Sequence, residues 1–215
     1  MRIPLIRAIL FDHDGTLVDS LPVVVAATNA ALAEAGAAAC AAEAIVAAMV
    51  LPTGPRMAHH AGIADAARQP ALAASYYAQA IRLVDRARAY AGIAEALRAL
   101  ADRPLAVVSN NEGRFVRAAM AATGLAAHIP AARAWGEDDV PAPKPDPAGL
   151  LAAAQRLGIP AGDCAYVGDS PVDLRAARGA GMRAIGVAWG THARAQLAGL
   201  GFDRLLDHPE QLARL

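Results

Sequence analysis

The chain has 215 residues, enough for one medium domain or a core with a smaller insert, and long enough to bury a substantial interior. Acidic and basic residues balance at 20 each, which gives no support to a nucleic-acid-binding surface or an acidic tail. Hydrophobic residues make up 56%, but 58 residues are alanine, so the figure reflects helix-forming composition more than greasiness.

The N-terminal run "MRIPLIRAILF" carries Arg7 among its apolar residues and no small-residue cleavage site. It predicts a buried strand over 5–11 and not a secretory leader. The stretch "FDHDGTLVDS" follows at once and places Asp12, Asp14 and Asp19 within eight positions. Carboxylates so close repel one another, more strongly where water is scarce, and the pattern calls for a cation.

Residues 18–90 read as helical throughout. Ser20 and Pro22 suit a helix start and Gly36 its end. "MVLPTGPRMAHHAG", with two prolines and two glycines, reads as a loop, and further helices are expected over 71–89 and 92–101. The alanine-rich run from Val23 to Val50 contains Asn29, Glu34, Gly36 and Glu43, so it is not a membrane span.

Beyond this insert, strands and helices alternate. Strands are expected over 105–109, 164–168, 184–188 and 204–206. Helices are expected over 111–123, 146–157 and 171–180, each closed by a glycine. The alternation predicts an α/β fold: a Rossmann-like parallel sheet with helices on both faces, plus an inserted all-helical domain. The expected division is a core of 1–17 and 91–215 and an insert of 18–90. Asp12 and Asp14 follow the first strand, Ser109 and Asn110 end the second, and Asp169 ends the third. In open parallel sheets, ligands bind beyond the carboxyl ends of the strands, so these clusters should converge.

Two details carry weight on their own. Of the 20 basic residues, 19 are arginine, and Lys144 is the single lysine. A lone lysine inside "PAPKPDP" suggests a site that needs a compact ammonium and rejects a guanidinium fork, on a backbone stiffened by prolines. Cys40 and Cys164 are far apart with no CxxC, which favours a reduced, cytoplasmic chain. Ser109 and Asn110 also read as a helix cap, and Asp173 with Ser170 and Pro171 as a helix start with a capping-box acid.

"DHDGTLVDS", "VVSNN", "APKPDP" and "VGDSPVD" together resemble the four motifs of the haloacid dehalogenase-like hydrolases, in order and spacing. The subgroup is the one with a helical cap inserted after the first motif, and "GEDDVPAPKPDP" with "VGDSPVDLRAARGAGM" is similar to its phosphoglycolate phosphatase-like branch. The resemblance spans residues 5 to about 190 and implies the following roles. Asp12 is the nucleophile that forms an aspartyl-phosphate. Asp14 is the general acid and then base. Asp12, Asp169 and the backbone carbonyl of Asp14 hold Mg²⁺, with Asp173 anchoring metal-bound water. Gly15 lets the backbone turn near the phosphate, Ser109 and Asn110 contact it, and Lys144 neutralises the phosphoryl group and the nucleophile.

Thr16 reads equally as a turn hydroxyl, and Asp19 as part of the cap hinge. His13 is expected to face away from the phosphate. In the cap, Arg56 is the candidate for an anionic group on the substrate, ahead of Tyr76, Tyr77, His59 and His60. An acid at position 14 disfavours carbon–halogen cleavage, and a cap without lysine disfavours Schiff-base phosphonate chemistry. The expectation is a Mg²⁺-dependent phosphatase acting on a small phosphorylated metabolite such as phosphoglycolate, with no nucleic-acid or membrane partner and an oligomeric state, monomer or homodimer, that the sequence leaves open. The alternatives are a phosphosugar mutase of the same fold and a catalytically silent phosphate-binding regulator.

Overall fold

The computed structural model describes residues 6–215; Met1–Leu5, and with them the first residue of the predicted leading strand, lie outside the described residues. Eight strands occur among the described residues: β1 (Ala8–Phe11), β2 (Val18–Asp19), β3 (Arg88–Ala89), β4 (Leu105–Val108), β5 (Ala134–Trp135), β6 (Cys164–Gly168), β7 (Arg183–Val187) and β8 (Arg204–Leu206). Six of them form one sheet in the order β5-β4-β1-β6-β7-β8, parallel throughout. The helices are α1 (Leu21–Glu34), α2 (Ala42–Ala47), α3 (Thr53–Ala61), α4 (Gln69–Arg82), α5 (Ile93–Ala99), α6 (Gly113–Ala122), α7 (Ala148–Leu157), α8 (Pro171–Gly179) and the single turn α9 (Arg194–Leu197).

The central strands are apolar on both sides, as a sheet covered by helices requires. Ala8, Leu10, Ala106, Val108, Cys164 and Tyr166 share one face and pack with Leu150 and Ala153 of α7 and Leu174 and Ala177 of α8. Their neighbours in sequence, Ile9, Phe11, Val107, Ala165 and Val167, point the other way and are equally buried. β1 lies between β4 and β6, and Phe11 is in register with both Val107 and Val167. Residues just past these three strands therefore emerge side by side, where the chain order switches direction.

By packing, the chain divides into residues 6–19 with 88–215, and Ser20–Ala87. In the second unit α4 packs against α1 and α3, around Val24, Leu32, Met57, Leu72 and Tyr76.

Three sequence expectations need correction. Residues 18–90 are not helical throughout, because Val18–Asp19 and Arg88–Ala89 pair as an antiparallel ribbon (Val18 opposite Ala89, Asp19 opposite Arg88). That pairing also ends the helix predicted over 71–89, which stops at Arg82. The predicted loop over 49–62 contains α3. Pro52 precedes the helix and Pro55 falls in its first turn, where a missing N–H costs nothing, so neither proline opposes it. The strand β5 has no counterpart among the expected elements; at two residues it is too short to leave a periodic signal.

Candidate active site

Asp12 follows β1 directly. Its Oδ1 accepts the backbone N–H of His13 at 2.7 Å and lies 2.8 Å from the Lys144 ammonium. No partner holds its Oδ2 among the described residues, so one carboxylate oxygen is anchored and the other is available.

Lys144 is buried, and three groups surround its Nζ at hydrogen-bond distance: Asp12 Oδ1 at 2.8 Å, Asp173 Oδ1 at 2.7 Å and the Tyr166 hydroxyl at 2.8 Å. An ammonium has three donors, and these partners match them. Tyr166 in turn donates to the Val108 carbonyl at 2.8 Å, which fixes its ring in the sheet core. Burial pushes the Lys144 pKa down, but Asp12 and Asp173 outweigh it and hold the ammonium well above its ordinary range. The backbone of Lys144 is held as firmly. Asn110 Nδ2 donates to its carbonyl at 2.7 Å, and Asn110 Oδ1 accepts its N–H at 2.8 Å.

Asp14 turns away from this pair. Its Oδ2 accepts from Asn111 Nδ2 at 2.6 Å and has Ser109 Oγ at 3.5 Å; its Oδ1 lies 3.1 Å from His13 Nδ1. The His13 ring is fully buried, edge-on to Phe115 with centroids 6.0 Å apart, and faces the Asp14 carboxylate.

Asp169 follows β6. Its Oδ2 accepts both the N–H and the hydroxyl of Thr191, at 2.7 and 2.6 Å, from the segment that follows β7. Gly15 and Gly190 close around it. A Cβ at Gly15 would sit 2.2 Å from Asp169 Oδ2, and one at Gly190 2.5 Å away. Gly15 also turns at φ +75°, where a side chain is strained. Its N–H donates to the Val18 carbonyl at 3.0 Å, and Gly15 gives the site its close turn and its room.

Asp173 performs two jobs at the start of α8. Oδ2 accepts the N–H and hydroxyl of Ser170 at 3.1 and 2.6 Å, completing the predicted capping box, while Oδ1 meets Lys144. Ser109 does not cap α6 in this way. The first N–H of that helix, from Gly113, donates to Asp138 Oδ1 at 2.6 Å, so the chain's own carboxylate fills the helix end.

One oxygen from each of Asp12, Asp169 and Asp173 lies within 4.8 Å of the others. Two of these three carboxylates, Asp12 and Asp173, meet the single Lys144 ammonium. Burial first, then repulsion from Asp173, raises Asp12 well above the ordinary carboxylate range. The same two causes push Asp169 up to about 6, against the Thr191 hydrogen bonds. A site so short of positive charge, built of hard oxygen donors, fits a magnesium-like cation.

In the second unit Arg56 lies on α3, 5% exposed, with its guanidinium carbon 5.0 Å from the Tyr76 ring centroid. Its Nε and Nη2 are buried without a hydrogen-bond partner. Tyr77 shares a hydroxyl contact with Thr53 at 3.0 Å, and the tilted rings of His59 and His60 lie with centroids 5.4 Å apart at the end of the helix.

Sequence reasoning overlooked Asn111, Tyr166 and Thr191. Thr191 carries a usable signal, since it closely follows a parallel strand, and Asn111 adjoins residues already singled out. Tyr166 carries none, because a tyrosine inside a buried strand reads as core.

The sequence model of the haloacid dehalogenase-like hydrolases matches residues 6–181. The chain belongs to this family. As a haloacid dehalogenase-like hydrolase it is 34% identical over 198 residues to a phosphoglycolate phosphatase from Xanthomonas campestris, covering 88% of this chain and 86% of the relative. A haloacid dehalogenase-like hydrolase from Deinococcus radiodurans, solved with bound phosphate and sodium, is 26% identical with a TM-score of 0.71, covering 97% of this chain and 93% of that one. A family member from Streptococcus pneumoniae shares the fold with a TM-score of 0.83 at 21% identity, over 97% of both chains.

Proposed function

We propose that this hydrolase is a Mg²⁺-dependent phosphatase for a small phosphate monoester, with 2-phosphoglycolate as the substrate. The observation that carries the reading is the pair Asp12 and Lys144: a buried carboxylate with one oxygen free and an ammonium 2.8 Å from the other. An acid two residues on completes the set.

Asp12 Oδ2 attacks phosphorus, the P–O bond to the leaving group breaks, and an aspartyl-phosphate forms. Asp14 gives its proton to the leaving oxygen. Water then attacks phosphorus, Asp14 takes the water's proton, the Asp12–phosphorus bond breaks, and inorganic phosphate leaves. Lys144 balances the charge of the nucleophile and the transferring phosphoryl group, while Asn110 fixes the backbone that carries it. Ser109 offers its hydroxyl to phosphate. Asp12, Asp169 and the Asp14 backbone carbonyl would hold Mg²⁺, with Asp173 beyond them, and the ion would supply charge neutralisation. The family resemblance implies that Ser20–Ala87 is the cap, and Arg56 within it is the candidate for a second anionic group on the substrate, such as the carboxylate of phosphoglycolate. The compartment we propose is the cytoplasm, as expected from two cysteines far apart in the sequence.

Turnover of 2-phosphoglycolate in H₂¹⁸O tests the reading. One ¹⁸O per released phosphate is expected. No phosphate released from 2-phosphoglycolate, together with phosphoryl transfer between hydroxyls of a sugar phosphate without ¹⁸O incorporation, would replace hydrolysis by mutase chemistry.

A further inference from the structure

Asn111 is a half-buried residue in the loop between β4 and α6, and it faces Asp14 across the site. Its Nδ2 donates to Asp14 Oδ2 at 2.6 Å, a short, charge-assisted contact. The carboxamide must present its nitrogen, because its oxygen would repel the carboxylate. The backbone of Asn111 is anchored on both sides. Its N–H donates to Ser109 Oγ at 3.1 Å, and its carbonyl accepts the Glu137 N–H at 2.9 Å. That second anchor requires a bare backbone at Gly136, where a Cβ would fall 2.4 Å from the Asn111 carbonyl oxygen. The donor is thus delivered to Asp14 from a neighbouring strand by a pinned loop.

We infer that Asn111 is the positioning residue of the general acid, orienting the Asp14 carboxyl group for proton transfer. The inference rests on the reading of Asp14 as acid and base. A carboxyl group turns easily about its last torsion, and proton transfer demands that it stay within hydrogen-bond reach of the leaving oxygen. Asn111 limits that rotation from the β4 side by a hydrogen bond to Oδ2, while His13 Nδ1 lies 3.1 Å from Oδ1 without hydrogen-bonding it. Adjacent asparagines therefore divide the work: Asn110 holds the Lys144 backbone, and Asn111 holds the Asp14 side chain.

The test compares single-turnover rates on an aryl ester, p-nitrophenyl phosphate, and an alkyl ester, 2-phosphoglycolate. The aryl leaving group needs little protonation and the alkyl one needs much. Asn111→Ala and the isosteric Asn111→Asp, each in the full-length protein, should slow the alkyl ester about tenfold or more beyond any loss on the aryl ester. Asp14→Asn should show the same bias, larger. Equal losses on both esters in the Asn111 variants, or no loss, would overturn the positioning role while Asp14→Asn keeps its bias. An unbiased Asp14→Asn would instead remove the acid assignment, and the role of Asn111 with it.

Discussion

Asn110 grips Lys144 by the backbone from both sides: its amide donates to the Lys144 carbonyl at 2.7 Å and its oxygen accepts the Lys144 N–H at 2.8 Å. The one lysine of the chain thus reaches the site on a segment fastened to the neighbouring loop. Asn110→Ala removes both bonds. Because Asn110 is exposed, the stability loss should be small, about 1 kcal/mol, but Lys144 loses its fixed origin and kcat should fall about tenfold. Thermal denaturation and steady-state kinetics on one preparation check this. A variant as active as the parent would show that Asp12, Asp173 and Tyr166 alone hold Lys144 in place.

Asp12→Asn keeps the shape of the side chain and removes its nucleophilicity. Turnover should fall by on the order of 10⁴ or more while the melting temperature stays near the parent's. Near-normal activity in this variant would eliminate the covalent mechanism.

Much of this site is legible in the order of residues along the chain. Asp12, Ser109 and Asp169 each follow a short apolar run, and three adjacent parallel strands bring such residues together. Lys144 stands out by composition alone. Contacts whose chemistry depends on neighbours distant in sequence stay hidden. Asn111 and Asp14 are 97 positions apart, and Asp169 and Thr191 are 22. The ribbon of β2 and β3 is hidden for the same reason, since two residues at each end of a long insert show no period of their own. Helix α3 reads as a loop only when its prolines are counted without regard to their place in the first turn.

Arg56 is a buried cation with Nε and Nη2 unpartnered. Such a group is costly to fold around, so Arg56→Met should leave stability unchanged or raise it by about 1 kcal/mol. The same variant should raise KM for 2-phosphoglycolate at least several-fold more than for p-nitrophenyl phosphate. Equal changes in KM for the two esters would strip Arg56 of its recognition role, and a large loss of stability would mark it as structural.

Asp169 gives the protein a pH signature. Its pKa is near 6 when folded, against 3.8 ordinarily, because burial and Asp173 disfavour its charge. Below pH 3.8 the group is protonated in both states. Between about 4 and 6 the unfolded chain has lost the proton and the folded chain keeps it, so stability falls as pH rises. Above about pH 6 the penalty is complete, about 3 kcal/mol. Mg²⁺ favours the ionised site, so it should raise the melting temperature far more at about pH 7 than at about pH 4.5. Denaturation scans with Mg²⁺ and with EDTA across this range check the sign. A Mg²⁺ shift of equal size at both pH values would contradict the assignment of Asp169 to the cation.

The carboxylates around Lys144 are read as a metal-dependent phosphatase site selective for a small anionic ester. Phosphate release from 2-phosphoglycolate and from p-nitrophenyl phosphate, each with Mg²⁺ and with EDTA, tests this most directly. Release from both esters is predicted, abolished by EDTA, with the higher kcat/KM for 2-phosphoglycolate. Release that persists undiminished in EDTA, or no release from either ester with Mg²⁺ present, would contradict it.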